Sequence, residues 1–373
     1  MALIPAGSPP HVLRWTASSR KGKLPSMLRM PNIWLITLSL LLGAGCAAPQ
    51  PDNASLRRFE FTQPQMGLPF RIVLHAPNAA TAEAAANAAF ARISQLNDIL
   101  SDYDTDSELS RLSRTAGEDR AVPVSEDLWQ VLQRSQALAE RTDGAFDVTI
   151  GPYVNLWRKA RREKQLPRAD LLAQAAASVG WKKLELDAGN RTAKLRAPDM
   201  RLDLGAIAKG FAVDEALKVL RRHGIARALV AGGGDMVVGD PPPGKPGWRI
   251  EVAALDVTNA PPARFVLLAN AALATSGDLF QHVEVGGRRY SHIVDPRTGI
   301  GLTDHSLVTV IAADCTTADS LATAASVLGP EKALRFVEAT SGAAVRIVRK
   351  PAETIEVRES RRFRRFYDET ALR

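Results

Sequence analysis

The alternation of apolar and polar positions divides the chain into a short leader and a long mixed region. Ile33–Leu42 reads IWLITLSLLL, an apolar run with only Thr37 and Ser39 in it as small polar residues. At about ten residues it falls short of the ~20 that a helix needs to cross a bilayer, and it has the length of a signal-peptide core. Beyond residue 60 the period changes repeatedly. FRIVLHA within Phe61–Ala76 reads as a strand, whereas Ala79–Leu100 is alanine-rich with apolar positions recurring about every 3.6 residues and predicts a helix. Ser125 is an N-cap followed by Glu126 and Asp127; the helix it opens runs through Leu128, Val131, Leu132 and Leu138 and stops by Gly144. Ile207–His223 predicts a further amphipathic helix, ended by Gly224. Strands are expected at Ala228–Ala231, Arg249–Ala253, Phe265–Leu268 and Ala271–Thr275, and a hairpin where Val283–Val285 and Arg288–Ile293 flank Gly286-Gly287. Leu307–Ala313 feeds a helix from about Thr317 to Leu328, Pro330 opens the next, and Ala343–Val348 is the last strand expected. The run RKARREKQLPR at Arg158–Arg168 reads as an exposed insertion. Hairpins mixed with helices predict an α+β fold, with mixed or antiparallel sheets flanked by helices.

The leader carries an address. Arg29 precedes the apolar run, and Gly43-Ala44-Gly45-Cys46 follows it. Small residues before a cysteine suit cleavage ahead of Cys46 once its thiol carries a lipid, although a larger apolar residue is usual where Gly43 stands. The other reading is a plain cleaved signal with Cys46 unmodified. Residues 1–26 are an unusual prefix, and a start at Met27 or Met30 gives a more ordinary signal peptide. The expected organisation is a signal peptide over 1–45, a lipidated Cys46 with a flexible spacer to residue 59, a main domain over 60–350 and a basic tail over 351–373. This predicts an exported lipoprotein on the periplasmic side of a bacterial membrane; Ala47 rather than Asp after the cysteine favours the outer one.

Composition narrows the picture. The 373 residues are 46% hydrophobic and 24% charged, which is globular rather than disordered. The net charge of +8 is concentrated at the ends, with Arg361, Arg362, Arg364 and Arg365 near the C-terminus. No zinc-finger spacing, RNA-binding aromatic signature or long basic helix lies between them, so nucleic acid is not an expected partner. With Cys46 lipidated, Cys315 is left unpaired and reads as a small buried residue.

Five segments place polar residues where a plain fold has no need of them. Tyr103 sits among acids and serines in LSDYDTDSELSRL, where an aromatic stacks on a flat ring or merely occupies a turn. Asp147 lies between turn formers in DGAFDVTIGPYVNLW. In RLDLGAIAKGFAVD a short strand ends at Asp203, and Gly205-Ala206 leads into a helix with Lys209 in its first turns. Exposed amides and a lysine there suit phosphate, but the GxxxxGK spacing of a Walker loop is absent. ALVAGGGDMVVG has three glycines in a strand context, implying a bulge, a tight turn or close backbone approach. The richest segment joins TSGD, YSHIVDP and TTADSLAT. Asp319 and Thr323 are four apart and share a helical face, an oxygen pair suited to Mg²⁺; His292 is one of 6 histidines.

Taken in order, DGAFDVTIGPYVNLW, LDLGAIAKGFAVD, YSHIVDPRTG and the TTADSLATA helix closely resemble the ApbE family, the FAD:protein FMN transferases, over roughly residues 60–350. The resemblance implies an exported enzyme that moves FMN from FAD to a Thr or Ser hydroxyl of another protein and releases AMP, with Mg²⁺. It implies acceptors among the flavin-carrying subunits of Rnf- and Nqr-type membrane redox complexes. Family FAD contacts fall on Met66, Tyr103, Ala145, Phe146, Asp147, Asp203, Lys209 and Ile293. Metal ligands fall on Ala206 through its carbonyl, Asp319 and Thr323, and the general base on His292. The sequence departs from the family at Leu279-Phe280 after TSGD and at Ala322, where some relatives carry a second acid. Hydrolysis of FAD to FMN and AMP, a non-catalytic FAD-binding lipoprotein and a periplasmic small-molecule binding lipoprotein are the competing readings.

Overall fold

The computed structural model describes residues 56–255, 264–278, 281–351 and 354–369. Cys46, the leader, the spacer and the Leu279-Phe280 departure lie outside them. The backbone of the fold is an eight-stranded sheet whose spatial order is its chain order. Its strands are β1 (Arg57–Gln65), β2 (Leu68–Ala76), β3 (Ala228–Gly232), β4 (Asp235–Val238), β5 (Ala271–Gly277), β6 (Ser306–Ala312), β7 (Ala344–Arg349) and β8 (Glu356–Glu359). Every neighbouring pair is antiparallel. The sheet is therefore a meander into which helices are inserted, and the α+β expectation holds.

The helices are α1 (Ala79–Leu100), α2 (Glu108–Ser113), α3 (Glu126–Arg141), α4 (Gly151–Glu163), α5 (Ala169–Ser178), α6 (Ala208–Arg222), α7 (Cys315–Leu328) and α8 (Pro330–Ala339). The small residues of α1 and α7 let the helices approach closely: Ala82, Ala85, Ala86 and Ala89 are fully buried, as are Ala318, Ala322 and Ala324. One sheet face, including Phe70, Ile72 and Leu74 of β2, packs under α1, α6 and α7. The alternate residues, Val73, Leu229, Leu273 and Ile311, pack under a hairpin of Trp248–Val252 with Arg264–Leu268. Period-two alternation in a sheet covered on both faces is apolar on each side, which explains why the strands read as continuous runs. Arg92 of α1 ties three helices together by pairing with Asp127 and Glu215.

The structure departs from the sequence reading in several places. FRIVLHA is a strand as expected, but it is the second arm of a hairpin over Arg57–Ala76 that turns at Met66-Gly67 with φ of 48° and 74°. The polar alternation of RRFEFTQPQ had hidden its first arm. The segment ending at Asp203 forms only an isolated bridge between Ile150 and Arg201. Its amides look elsewhere, Leu202 to Ser113 Oγ at 3.2 Å and Asp203 to the Val148 carbonyl at 2.8 Å. Gly151-Pro152 opens α4 rather than making a turn, since proline is tolerated at the first helical positions. Arg158 is no part of an exposed insertion: α4 carries it inward, with a side chain 16% exposed. The described part of the basic segment past residue 350 is built into the fold, with β8 pairing β7 and Phe363 fully buried.

Candidate active site

One cavity of about 1380 Å³ opens where the β1–β2 turn, the loop after α1, the start of α6, the β3–β4 turn, the loop before residue 296 and one face of α7 meet. Met66, Tyr103, Ala145, Phe146, Asp147, Asp203, Ala206, Lys209, His292, Ile293, Asp319 and Thr323 all line it. The sequence candidates within the described residues thus converge from six separate chain regions.

The charged centre is Lys209. Its Nζ pairs closely with Asp235 and lies 3.2 Å from both carboxylate oxygens of Asp319. Asp319 also accepts from the Gly210 amide at 3.1 Å. Both carboxylates are 2% exposed. Burial would lower the lysine's affinity for its proton, but the two anions more than offset that and hold it above its ordinary value. Burial and the Asp319 charge push Asp235 up to about 7 against the pull of Lys209. Where both carboxylates are ionised they outnumber the one ammonium and leave a net negative charge. One turn beyond Asp319, the Thr323 hydroxyl stands 3.1 Å from Ser276 Oγ of β5. A carboxylate and two hydroxyls are hard oxygen donors, and the surplus charge suits a divalent cation, so the residues fit Mg²⁺. Asp235 was not singled out from sequence, although it follows the glycine run directly. Pairing of Gly232 with Asp235 makes Gly233-Gly234 a two-residue hairpin turn with φ of 63° and 95°, which glycine adopts without strain. A β-carbon on Gly233 would stand 3.3 Å from Lys209 Cδ, so the turn also lets backbone reach the site.

Asp214 of α6 sets the position of α7. Its carboxylate accepts from the Cys315 and Thr316 amides at 2.8 Å each and from Thr316 Oγ1 at 2.6 Å. An anion at a helix N-terminus satisfies otherwise unpaired donors and complements the dipole. Cys315 is fully buried beside it, with its thiol pushed up by burial.

His292 follows the strand Arg288–Ser291. Its Nδ1 lies 3.0 Å from the Gln281 carbonyl, which also accepts the His292 amide at 3.0 Å. A carbonyl only accepts, so Nδ1 carries the proton and Nε2 is left as the free lone pair. Burial lowers the imidazole's pKa; the Gln281 bond opposes this, and Arg161 and Lys209 add to the lowering. The loop carrying His292 is braced by Trp157 of α4, whose Nε1 donates to the Gly299 carbonyl at 2.8 Å and whose ring meets Tyr290 at 5.4 Å.

At the opposite lip Tyr103 is 76% exposed, with the Arg158 guanidinium 4.1 Å from its ring centroid. Arg158 pairs closely with Asp102 and at 3.0 Å with Asp203 Oδ2. Asp203 Oδ1 accepts the Gly205 amide at 2.8 Å, and burial followed by the Asp102 charge raises its pKa. Asp147 is spent locally: one oxygen accepts from the Thr149 amide at 2.8 Å and hydroxyl at 2.7 Å, while burial raises its pKa. Arg161 lines the cavity and, among the described residues, has only the neutral Gln281 amide as its hydrogen-bond partner, at 2.9 Å. Arg158 and Arg161 are three apart on α4, so helical spacing was the signal that could have placed them together.

Comparison with known proteins agrees with this geometry. The ApbE family model matches residues 66–347. The chain belongs to the ApbE family. A Haemophilus influenzae protein named FAD:protein FMN transferase is 36% identical over 265 residues, 69% of this chain and 76% of that one. A Vibrio cholerae protein of the same name is 34% identical over 323 residues, covering 85% and 93%. The solved structure of flavin transferase ApbE from Vibrio cholerae superposes with a TM-score of 0.76 at 30% identity, covering 83% of this chain and 99% of that one. The site of this ApbE-family chain thus sits on a scaffold that spans 83% of this chain and 99% of the Vibrio cholerae structure.

Proposed function

We propose that this chain transfers FMN from FAD to a Thr or Ser hydroxyl of an acceptor protein, releasing AMP. The observation that carries the reading is that an imidazole with a free Nε2 lines the same cavity as Lys209 and Asp319, the lysine being paired with the buried Asp235 and Asp319. Relatives named for this transfer support it. The Tyr103 ring, backed by Arg158, offers its open face to a flat ring system. Lys209 lies near enough to the cavity wall to meet phosphate oxygens. Nε2 of His292 accepts the proton of the attacking hydroxyl as its oxygen bonds to the FMN phosphorus; the bond to the AMP oxygen breaks and AMP leaves as an anion. Mg²⁺ held by Asp319, Thr323 and the Ala206 carbonyl would neutralise pyrophosphate charge.

Incubation with FAD, Mg²⁺ and a purified Nqr- or Rnf-type acceptor subunit tests this. Chromatography should show AMP formed without equivalent free FMN. Equal amounts of AMP and free FMN, unchanged by acceptor, would instead establish hydrolysis. We further propose that Cys46 is lipidated and holds the enzyme at the membrane surface that bears its acceptor. Cys46→Ser should then move the protein from the membrane to the soluble exported fraction; retention at the membrane contradicts the anchor.

A further inference from the structure

Beside the catalytic cavity lies a second concavity, of about 430 Å³, with Arg141, Arg297, Lys332 and Arg335 on its walls against one lining carboxylate, Asp143. Its composition is not the ordinary mixture of surface charges. Arg297 is held in a two-point bridge by Asp295, with bonds of 2.8 Å each. Arg141 is fixed by a guanidinium 5.0 Å from the Phe336 ring centroid and a 2.8 Å bond to Thr340 Oγ1. Lys332 and Arg335 of α8 are exposed and form no ion pair among the described residues. Nearby Glu331 is turned to Arg358 at 3.7 Å. The two pre-set guanidiniums and two free cations therefore face an opening that has room for a segment of chain.

The position of this concavity is as telling as its charge. Asp143 lines it and Ala145 lines the catalytic cavity; Arg297 lines it and Pro296 the cavity; Leu328 lines it and Val327 the cavity. Three chain segments thus form a shared rim, one of them the loop that carries His292. A protein bound in the basic concavity has its neighbouring residues at the catalytic mouth.

We propose that the concavity docks an acidic segment of the acceptor protein beside its accepting hydroxyl. The inference rests on the transferase reading and adds the acceptor's chemistry to it. Binding on a rim of exposed cations supplies capture and orientation more than chemical rate, so it acts on the KM for acceptor.

The test uses the full chain with Lys332→Glu and Arg335→Glu combined, two exposed positions whose change leaves the core untouched. Transfer to a purified Nqr- or Rnf-type acceptor subunit is followed against acceptor concentration and salt, and enzyme–acceptor association is measured directly by sedimentation. The KM for acceptor should rise on the order of tenfold, with kcat and FAD affinity unchanged. In wild type KM should climb with salt as screening shortens to ~8–10 Å near 0.1–0.15 M, and the variant should lose that dependence. Unchanged KM and association in the variant overturn the proposal. So does unchanged KM together with lost binding to vesicles containing anionic lipid, which would make the concavity a membrane contact. If wild type associates with the acceptor but makes no covalent product, the transferase reading fails while the association assay still decides the docking site.

Discussion

Gly210 joins the fold to the chemistry, and Gly210→Ala is the sharpest test of that link. A β-carbon at this position lies 2.3 Å from the Cys315 carbonyl oxygen, 2.7 Å from its carbon and 2.9 Å from Asp319 Cβ. Non-bonded heavy atoms normally approach to about 3.5 Å, so α6 and α7 must separate by roughly 1 Å. The obstacle is backbone and has no rotamer by which to withdraw. Alanine gains about 1 kcal/mol of helix propensity over glycine, against overpacking of ~1–3 kcal/mol. We expect a net loss of up to about 2 kcal/mol, and a Tm lower by up to a few degrees. Activity should suffer more than stability. The displaced helix carries Asp319 and Thr323, and a shift of about 1 Å at a reacting centre costs on the order of 10²-fold. Thermal unfolding and acceptor labelling measured on the same preparation check both parts. A variant as stable as wild type, with the wild-type rate and Mg²⁺ requirement, would refute the argument.

Other expectations follow from single contacts. Asp214→Ala strips three hydrogen bonds from the start of α7 and should destabilise by about 3 kcal/mol in urea unfolding; a loss under 1 kcal/mol contradicts the capping role. The transfer rate should rise with pH through a value below 6.5, because burial holds His292 below its ordinary range. By the same sign, its contribution to stability is present above about 6.5 and lost as pH falls through the folded pKa. Arg161→Gln removes a cation that lowers His292 and should move the acid limb of the pH–rate profile upward; a fixed limb argues against His292 as the titrating base. Tyr103→Ala should weaken FAD binding up to about tenfold in a fluorescence titration with little change in Tm, since the ring is 76% exposed.

The α+β class and the residues that line the cavity were both legible in the sequence. Asp319 and Thr323 could be paired because helical spacing fixes their face, and Ser125 could be read as a cap because its oxygen has a defined target in the Leu128 amide. The β1 arm was missed because it alternates polar residues with half-buried phenylalanines at a sheet edge. Asp235 was missed because a carboxylate after three glycines reads as turn chemistry; only the fold brings Lys209 onto it across 26 positions. Arg158 was misread because a run of basic residues looks solvated. Its burial depends on Asp102 and Asp203, 56 and 45 positions away, and no local pattern reports such partners.

The central claim is that FMN leaves FAD and becomes covalently attached to another protein in this cavity. Intact-mass analysis of a purified acceptor subunit, after incubation with FAD, Mg²⁺ and either wild type or His292→Ala, tests it most directly. The account predicts one FMN phosphoester on a Thr or Ser of the acceptor with wild type, and labelling slower by ~10²–10⁴ with the variant. An unlabelled acceptor with wild type, while FAD is retained or hydrolysed, would contradict it.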